Sequence, residues 1–161
     1  MRLSDQPSVA VETTIKVEPE RVYELVSDLD AMASFGTEFQ SGRWNSGRPG
    51  SVGSTFVGQQ RLGDREWETT STVTTAMPGK AFAWVVGDPD DPTAIWTVTM
   101  RSVPEGTEVN YSFVHGPGPS GLRDRVEAQP HDEEKFVEAR LSMLQQNMVK
   151  TLEGIRRRTA R

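Results

Sequence analysis

The feature that most constrains this chain is one long amphipathic stretch near its end, His131–Arg158. Its apolar residues recur at steps of three and four, which is the period of one face of an α-helix. Pro130 is a typical helix start, and a helix of this extent is roughly 40 Å long. It needs a wide apolar partner to cover its stripe. The stripe consists of Val137, Leu141, Leu144, Met148, Leu152 and Ile155, flanked by Phe136, Met143 and Val149.

The middle of the chain predicts the sheet that receives this helix. Successive stretches alternate apolar and polar residues, as half-buried strands do, and short turns such as Gly63-Asp64 join them. Strands joined by short turns pair antiparallel. A first strand from Val9 and two short helices, one starting at Pro19 and one ended by Gly36, come before them. The predicted fold is therefore α+β, with a curved antiparallel sheet of about seven strands around a long C-terminal helix.

Composition sets further bounds. We expect a single domain over 1–161, because 161 residues contain no linker-like stretch, with a flexible N-terminus at 1–8 and a tail at 159–161. The net charge of −5 argues against a nucleic-acid partner. No apolar run approaches the ~20 residues of a membrane span, and the absence of cysteine is compatible with a reducing cytosol. A cytoplasmic monomer or homodimer is the simplest interpretation.

The sequence predicts no cofactor and no metal. The acidic residues of 88–91 lie in a predicted loop, but their spacing lacks a full set of cation ligands. Two histidines without cysteine do not match the usual zinc spacings. The glycines of 47–53 are not followed by Gly-Lys-Ser/Thr, so they do not form a phosphate loop.

Several short motifs occur in a characteristic order. They are Val17-Glu-Pro-Glu-Arg-Val-Tyr-Glu-Leu-Val-Ser-Asp28, Val52-Gly-Ser-Thr-Phe56, Arg61-Leu-Gly-Asp-Arg-Glu-Trp67, Pro78-Gly79 before an aromatic strand, and Gly106-Thr-Glu-Val109. With these motifs and the long helix, the chain from about Val9 to Ile155 resembles the START-like (SRPBCC) superfamily, of the polyketide cyclase/dehydrase type. The resemblance implies the helix-grip fold of the birch pollen allergen, with a deep hydrophobic cavity between sheet and helix. Members bind lipids, sterols, polyketides and plant hormones, and some catalyse cyclisation or dehydration. The resemblance identifies no catalytic residue here.

The inward-facing residues of the strands and the long helix are candidates for the walls of such a cavity. Aromatic and methionine side chains suit a flat or flexible apolar ligand, although ordinary core packing explains the same pattern. The predicted ligand-binding residues are Phe56, Trp67, Trp84, Trp96, Met100, Phe113, Met143, Leu144, Asn147 and Met148.

Three polar residues are candidates for catalysis, namely His115, Tyr111 and Arg140. His115 ends the last strand and faces inward by alternation; it can act as an acid or base, or simply bond to a backbone carbonyl or water. Tyr111, like Tyr23, can donate a hydrogen bond to a ligand oxygen, and Arg140 can reach the cavity edge. Glu38 is a carboxylate candidate near the expected entrance.

Three functions stay open at this point. In the first, the chain binds a small hydrophobic molecule of lipid, polyketide or aromatic type. In the second, the same cavity belongs to a polyketide cyclase/aromatase or dehydrase that works mostly by positioning a reactive chain. In the third, the domain is a protein-interaction module.

Overall fold

The computed structural model describes residues 1–160 and has the predicted α+β architecture. Seven strands precede the last two helices along the chain, and two short helices follow the first strand. The strands are β1 (Ser8–Ile15), β2 (Phe39–Ser46), β3 (Thr55–Leu62), β4 (Arg65–Met77), β5 (Ala81–Asp88), β6 (Asp91–Val103) and β7 (Gly106–His115). The helices are α1 (Pro19–Val26), α2 (Leu29–Phe35), α3 (Gly121–Ala128) and α4 (Glu133–Thr159).

All seven strands form one antiparallel sheet in the order β1-β7-β6-β5-β4-β3-β2. From β2 to β7 each strand pairs with the next, and β1 completes the sheet by pairing with β7, where Val11 lies opposite Tyr111. The predicted acidic loop between β5 and β6 is a tight turn in the structure. Asp88 pairs directly with Asp91, and its carboxylate accepts the backbone N–H of Asp90 at 2.9 Å.

Helix α4 packs its apolar stripe on the inner face of the sheet, as the sequence predicts. Five of the six stripe residues are buried and Leu141 is half-buried, whereas the flanking Met143 and Val149 are 38% and 46% exposed. Gly154 brings α2 close to this helix, because a Cβ there would lie 2.6 Å from the ring of Phe35. The main core thus lies between the sheet, α1, α2 and the C-terminal part of α4.

A second, smaller apolar cluster lies at the start of α4. It consists of Leu3 near the N-terminus, Val126 of α3, and Phe136 and Val137 of α4. The backbone N–H of Leu3 donates to the Glu133 carboxylate at 2.8 Å, so the segment predicted to be flexible contacts α4; its flexibility itself stays a prediction. Residue 161 of the predicted tail lies outside the described residues. Within 1–160, no helix combines the length and apolarity needed to cross a bilayer.

Candidate ligand-binding site

A cavity of about 130 Å³ lies between the inner face of the sheet and α4. A long straight helix cannot follow a curved sheet along its whole length, so space is left where the two diverge. The walls come from the end of α1, from α2, from the segment that joins α2 to β2, from the start of β2, from β3 to β7 and from α4. Of the residues predicted for the site, those that line the cavity are Phe56, Trp84, Trp96, Tyr111, Leu144, Asn147 and Met148.

Aromatic rings on neighbouring strands form one continuous wall of this cavity. Trp84 and Trp96 are directly opposite in the β5–β6 register, and their rings stack with centroids 6.1 Å apart. Phe56 extends the wall at 6.5 Å from Trp84, and Tyr111 extends it at 5.4 Å from Trp96. Cross-strand neighbours on one face lie close enough for such ring contacts. The wall is therefore a consequence of strand register.

Two glycines on the inner face make room for an additional aromatic residue, Phe39. A Cβ at Gly42 would lie 2.6 Å from the Phe39 ring, and a Cβ at Gly58 would lie 2.8 Å from it. The Phe39 side chain can therefore lie across β2 and β3 and line the cavity. Any larger residue at these two positions would displace it.

A polar cluster, which we call the carboxylate clasp, ties the α2–β2 segment to α4. Arg140 donates from both Nη atoms to the Glu38 carboxylate at 2.7 and 2.8 Å, and the Asn147 amide donates to the same carboxylate at 2.9 Å. The Glu38 and Arg140 side chains are 12% and 26% exposed, which places the clasp at the edge of the cavity. A fork-to-fork pair fixes geometry as well as charge. Glu38 and Asn147 line the cavity, and Arg140 lies just outside the lining.

His115 is buried and has both ring nitrogens paired. Its Nδ1 lies 2.7 Å from the Gly116 carbonyl oxygen, and its Nε2 lies 2.9 Å from the Ser120 hydroxyl. A carbonyl can only accept, so we place the proton on Nδ1, and Nε2 accepts from Ser120. Burial is the main cause that lowers the pKa of His115. The hydrogen bond to the Gly116 carbonyl opposes this effect, and the positive charges of Arg123 and Arg140 add to the lowering. His115 does not line the cavity; it joins the end of β7 to the start of α3.

Tyr111 is buried as deeply as His115, but its hydroxyl group is unpaired. It has no hydrogen-bond partner among residues 1–160. Within the same residues, every side-chain nitrogen or oxygen that is fully enclosed does have a partner. The hydroxyl therefore keeps contact with open space, and Tyr111 is a lining residue of the cavity. Burial raises the pKa of Tyr111 well above its ordinary value. At physiological pH the group is a neutral hydrogen-bond donor without an acceptor.

The other predicted ligand-binding residues lie elsewhere in the structure. Met100 and Phe113 are buried in the core beside the cavity and do not line it. Trp67 is half-buried near the tip of the β3–β4 hairpin, with the Arg65 guanidinium 5.2 Å from its ring centroid. Met143 is 38% exposed, and its sulfur lies 3.6 Å from Arg140.

Sequence reasoning missed several lining residues, and a usable signal was present for two of them. Thr69 and Ser71 alternate with Val73 on the inner face of β4, where a packed core favours larger apolar side chains. Small polar residues at inward positions indicate unfilled space. Phe39 and Gln60 carried no comparable signal, because their inward placement depends on irregular register in β2 and on neighbouring glycines.

No metal centre accompanies the cavity in the part of the chain that is described, because no three His, Cys, Asp or Glu side chains converge there to hold an ion. The polar lining groups are hydroxyls, amides and the clasp carboxylate. The arrangement is suited to binding an organic molecule through apolar contact and a few hydrogen bonds.

Comparison with known proteins gives one family match. A family model described as polyketide cyclase / dehydrase and lipid transport matches residues 6–152. No curated protein matches the sequence significantly. The solution NMR structure of the polyketide-cyclase-like protein Cgl2372 from Corynebacterium glutamicum is 26% identical, with a TM-score of 0.68, and the match covers 93% of this chain and 89% of that one.

Two more distant structures share the fold. Major latex-like protein 151 from Panax ginseng is 12% identical with a TM-score of 0.65, and the match covers 96% of this chain and 98% of that one. The di-domain ARO/CYC protein StfQ of the steffimycin biosynthetic pathway is 11% identical with a TM-score of 0.73, over 92% of this chain and 49% of that one. These similarities confirm the predicted helix-grip fold.

Proposed function

This chain belongs to the polyketide cyclase / dehydrase and lipid transport family, and we propose that it binds a small hydrophobic molecule in the cavity between its sheet and α4. The observation that carries this proposal is an aromatic wall facing about 130 Å³ of unfilled space. Protein interiors pack densely, so a concave, mostly apolar space of this size between sheet and helix is suited to a small apolar ligand.

An enzymatic function in the same cavity is the second candidate, because the family includes cyclases and dehydrases. Among the three residues proposed for catalysis, Tyr111 lines the cavity, and its neutral hydroxyl can polarise a carbonyl group. Arg140 has to leave Glu38 before it can contact a substrate, and His115 has to give up two hydrogen bonds. Catalysis of this kind rests mainly on positioning.

The proposal includes a cytoplasmic location and no nucleic-acid partner. The absence of cysteine supports the first, because it fits a reducing compartment. The net charge of −5 supports the second. We propose a single domain that acts as a monomer or as a homodimer formed through an edge strand.

Native mass spectrometry of the freshly purified protein tests the binding proposal, combined with organic extraction of any bound molecule. We expect a stoichiometric apolar adduct that organic solvent removes. If the mass is that of the bare chain, and a panel of small hydrophobic molecules leaves the melting temperature unchanged, the binding proposal is wrong. A partner captured by the same protein would then favour the interaction module.

A further inference from the structure

The dimensions and polarity of the cavity narrow the chemistry of its ligand. Resting on the function proposed above, we propose that the cavity takes an uncharged, single-ring aromatic molecule that carries a hydrogen-bond acceptor, and that the Tyr111 hydroxyl donates to this acceptor. The proposal follows from three independent features of the site, which are its volume, its charge and its unpaired donors.

The volume limits the ligand to about one ring. The cavity measures about 130 Å³, whereas pockets for drug-sized ligands measure about 300–1,000 Å³. An engineered apolar cavity of about 150 Å³ in another protein holds benzene. A long acyl chain or a fused polycyclic molecule therefore exceeds the available space, and one substituted ring fills it. The stacked Trp84 and Trp96 rings provide a surface that favours an aromatic partner.

The charge of the lining excludes an anionic ligand. Among residues 1–160, no lysine, arginine or histidine lines the cavity, and Glu38 is the only charged lining residue. Arg140 is the nearest cation in the clasp, and the Glu38 carboxylate already occupies both of its Nη atoms. A carboxylate ligand would have to give up its hydration without gaining a cation. An uncharged acceptor, such as a ketone or an aldehyde, avoids this cost.

Donors without acceptors determine the polar group of the ligand. The Tyr111 hydroxyl is unpaired, and the Ser71 hydroxyl, 2% exposed as a residue, also has no hydrogen-bond partner among residues 1–160. Two other polar side chains of the lining have protein partners, since Gln60 donates to Thr69 at 3.3 Å and Thr151 donates to the Asn147 carbonyl at 3.1 Å. Neither hydroxyl is fully enclosed, and Tyr111 and Ser71 both line the cavity. A ligand acceptor placed beside Tyr111 therefore gains a hydrogen bond that the protein itself does not supply.

Two probe molecules of nearly equal shape isolate this hydrogen bond. Acetophenone carries a carbonyl oxygen, and α-methylstyrene replaces that oxygen with a CH₂ group. We would titrate both into the ¹⁵N-labelled protein and follow the indole N–H signals. Trp84 and Trp96 line the cavity and should shift, whereas Trp67 lies outside its lining and serves as an internal control. Acetophenone should bind wild type about fivefold to tenfold more tightly than α-methylstyrene.

A matched pair of variants assigns the difference to one hydroxyl. In Tyr111→Phe the preference for acetophenone should disappear, while binding of α-methylstyrene is retained. Tyr23→Phe makes the same change on α1, where the ring packs edge-on against Phe82 and does not line the cavity, so its preference should match that of wild type. A thermal melt of each variant confirms that the protein is folded.

Benzoate and oleate complete the test. We expect benzoate to bind at least tenfold more weakly than acetophenone. If oleate binds in the cavity and both ring probes do not, the ligand class is wrong while the function proposed above stands. An acetophenone preference that survives in Tyr111→Phe overturns the role of Tyr111 alone. If no probe shifts the Trp84 and Trp96 signals, both the ligand class and the binding function fail.

Discussion

His115 and Tyr111 lie four residues apart on β7, face the same way and are almost equally buried, at 4% and 6% exposure. The first has a partner for each ring nitrogen, whereas the second has an unpaired hydroxyl that lines a cavity. Burial alone therefore does not identify a functional polar group. The useful distinction is whether the protein itself supplies the hydrogen-bond partners.

The surroundings of the two side chains explain the difference. His115 ends β7 where the chain turns back tightly on β6, and the Gly116 N–H donates to the Thr93 carbonyl at 2.9 Å. A Cβ at Gly116 would overlap the Pro92 carbonyl oxygen, so this turn requires glycine and brings Gly116 and Ser120 to the imidazole. Tyr111 lies mid-strand, opposite Val11 of β1 and Val98 of β6. The space beside its hydroxyl is part of the cavity.

The largest predicted effect is a loss of stability when His115, with both ring nitrogens hydrogen-bonded, is replaced. His115→Ala removes a buried ring and two hydrogen bonds and leaves the Ser120 hydroxyl without its acceptor. We expect the free energy of unfolding to fall by about 3 kcal/mol, as measured by urea denaturation. Tyr111→Phe is the matched control on the same strand face and should change stability by less than about 0.5 kcal/mol. Equal losses in the two variants would remove the distinction between the sites.

His115 should also make the stability of the protein depend on pH. Burial lowers the pKa of His115 below its ordinary value of 6.5, so between these two pKa values the unfolded chain binds a proton that the folded chain does not. Stability should therefore be full above about pH 6.5 and fall as the pH drops, by at most about 1.4 kcal/mol per pH unit. Urea denaturation from pH 7.5 to 5.5 measures this.

His115→Gln is the control for the pH experiment, because it keeps a polar side chain and removes the titrating group. Its stability should change less over this interval than that of wild type. If the two pH dependences are the same, His115 does not cause the loss, and carboxylates elsewhere in the chain do.

A smaller loss is expected at the helix cap beside His115. The Ser120 hydroxyl accepts the Arg123 N–H at 3.0 Å at the start of α3 and donates to His115. Ser120→Ala should cost about 1–2 kcal/mol, and Ser120→Gly should cost less at the cap itself. The urea midpoint measures both, and ring-probe affinity should stay unchanged because Ser120 lies outside the cavity lining. A weakened probe affinity would mean that the two sites are coupled.

The smallest effect is predicted for the carboxylate clasp. Glu38→Gln keeps the shape of the side chain and removes the charge that Arg140 holds at 2.7 Å. The Gln side chain keeps one oxygen that can accept from Arg140 or Asn147, so stability should fall by only about 1 kcal/mol, and acetophenone should enter and leave faster because the cavity edge is less tightly held. Glu108→Gln removes a more exposed pair with Arg101 and should leave these rates unchanged. Unchanged rates in both variants would rule out the clasp as a barrier.

Much of the fold was predictable because its signals are local. The stripe from Val137 to Ile155 specified α4, and alternation in β7 placed Tyr111 and His115 on the inner face, where the structure has both. Alternation also predicted that Trp67 faces inward. The alternating pattern gives the face of the sheet, but it does not indicate how far along each strand α4 covers that face. Trp67 lies near the hairpin tip, beyond the cavity.

The polar partners were not predictable, because each depends on a contact between separate segments. Glu38 and Arg140 are 102 residues apart in sequence, and no spacing rule connects them. The partner of His115 is only five residues away, but it reaches the ring through the fold of a glycine-rich turn. The sequence therefore identified the polar residues that face inward and could not separate the paired one from the unpaired one.

A crystal structure of the protein with acetophenone tests the central claim most directly. The account predicts the ring in the cavity against Trp84 and Trp96, with its carbonyl oxygen within about 3.2 Å of the Tyr111 hydroxyl and His115 still bonded to Gly116 and Ser120. A probe bound instead in the outer groove beside Tyr23 and Trp44, or bonded to a displaced His115, would contradict it.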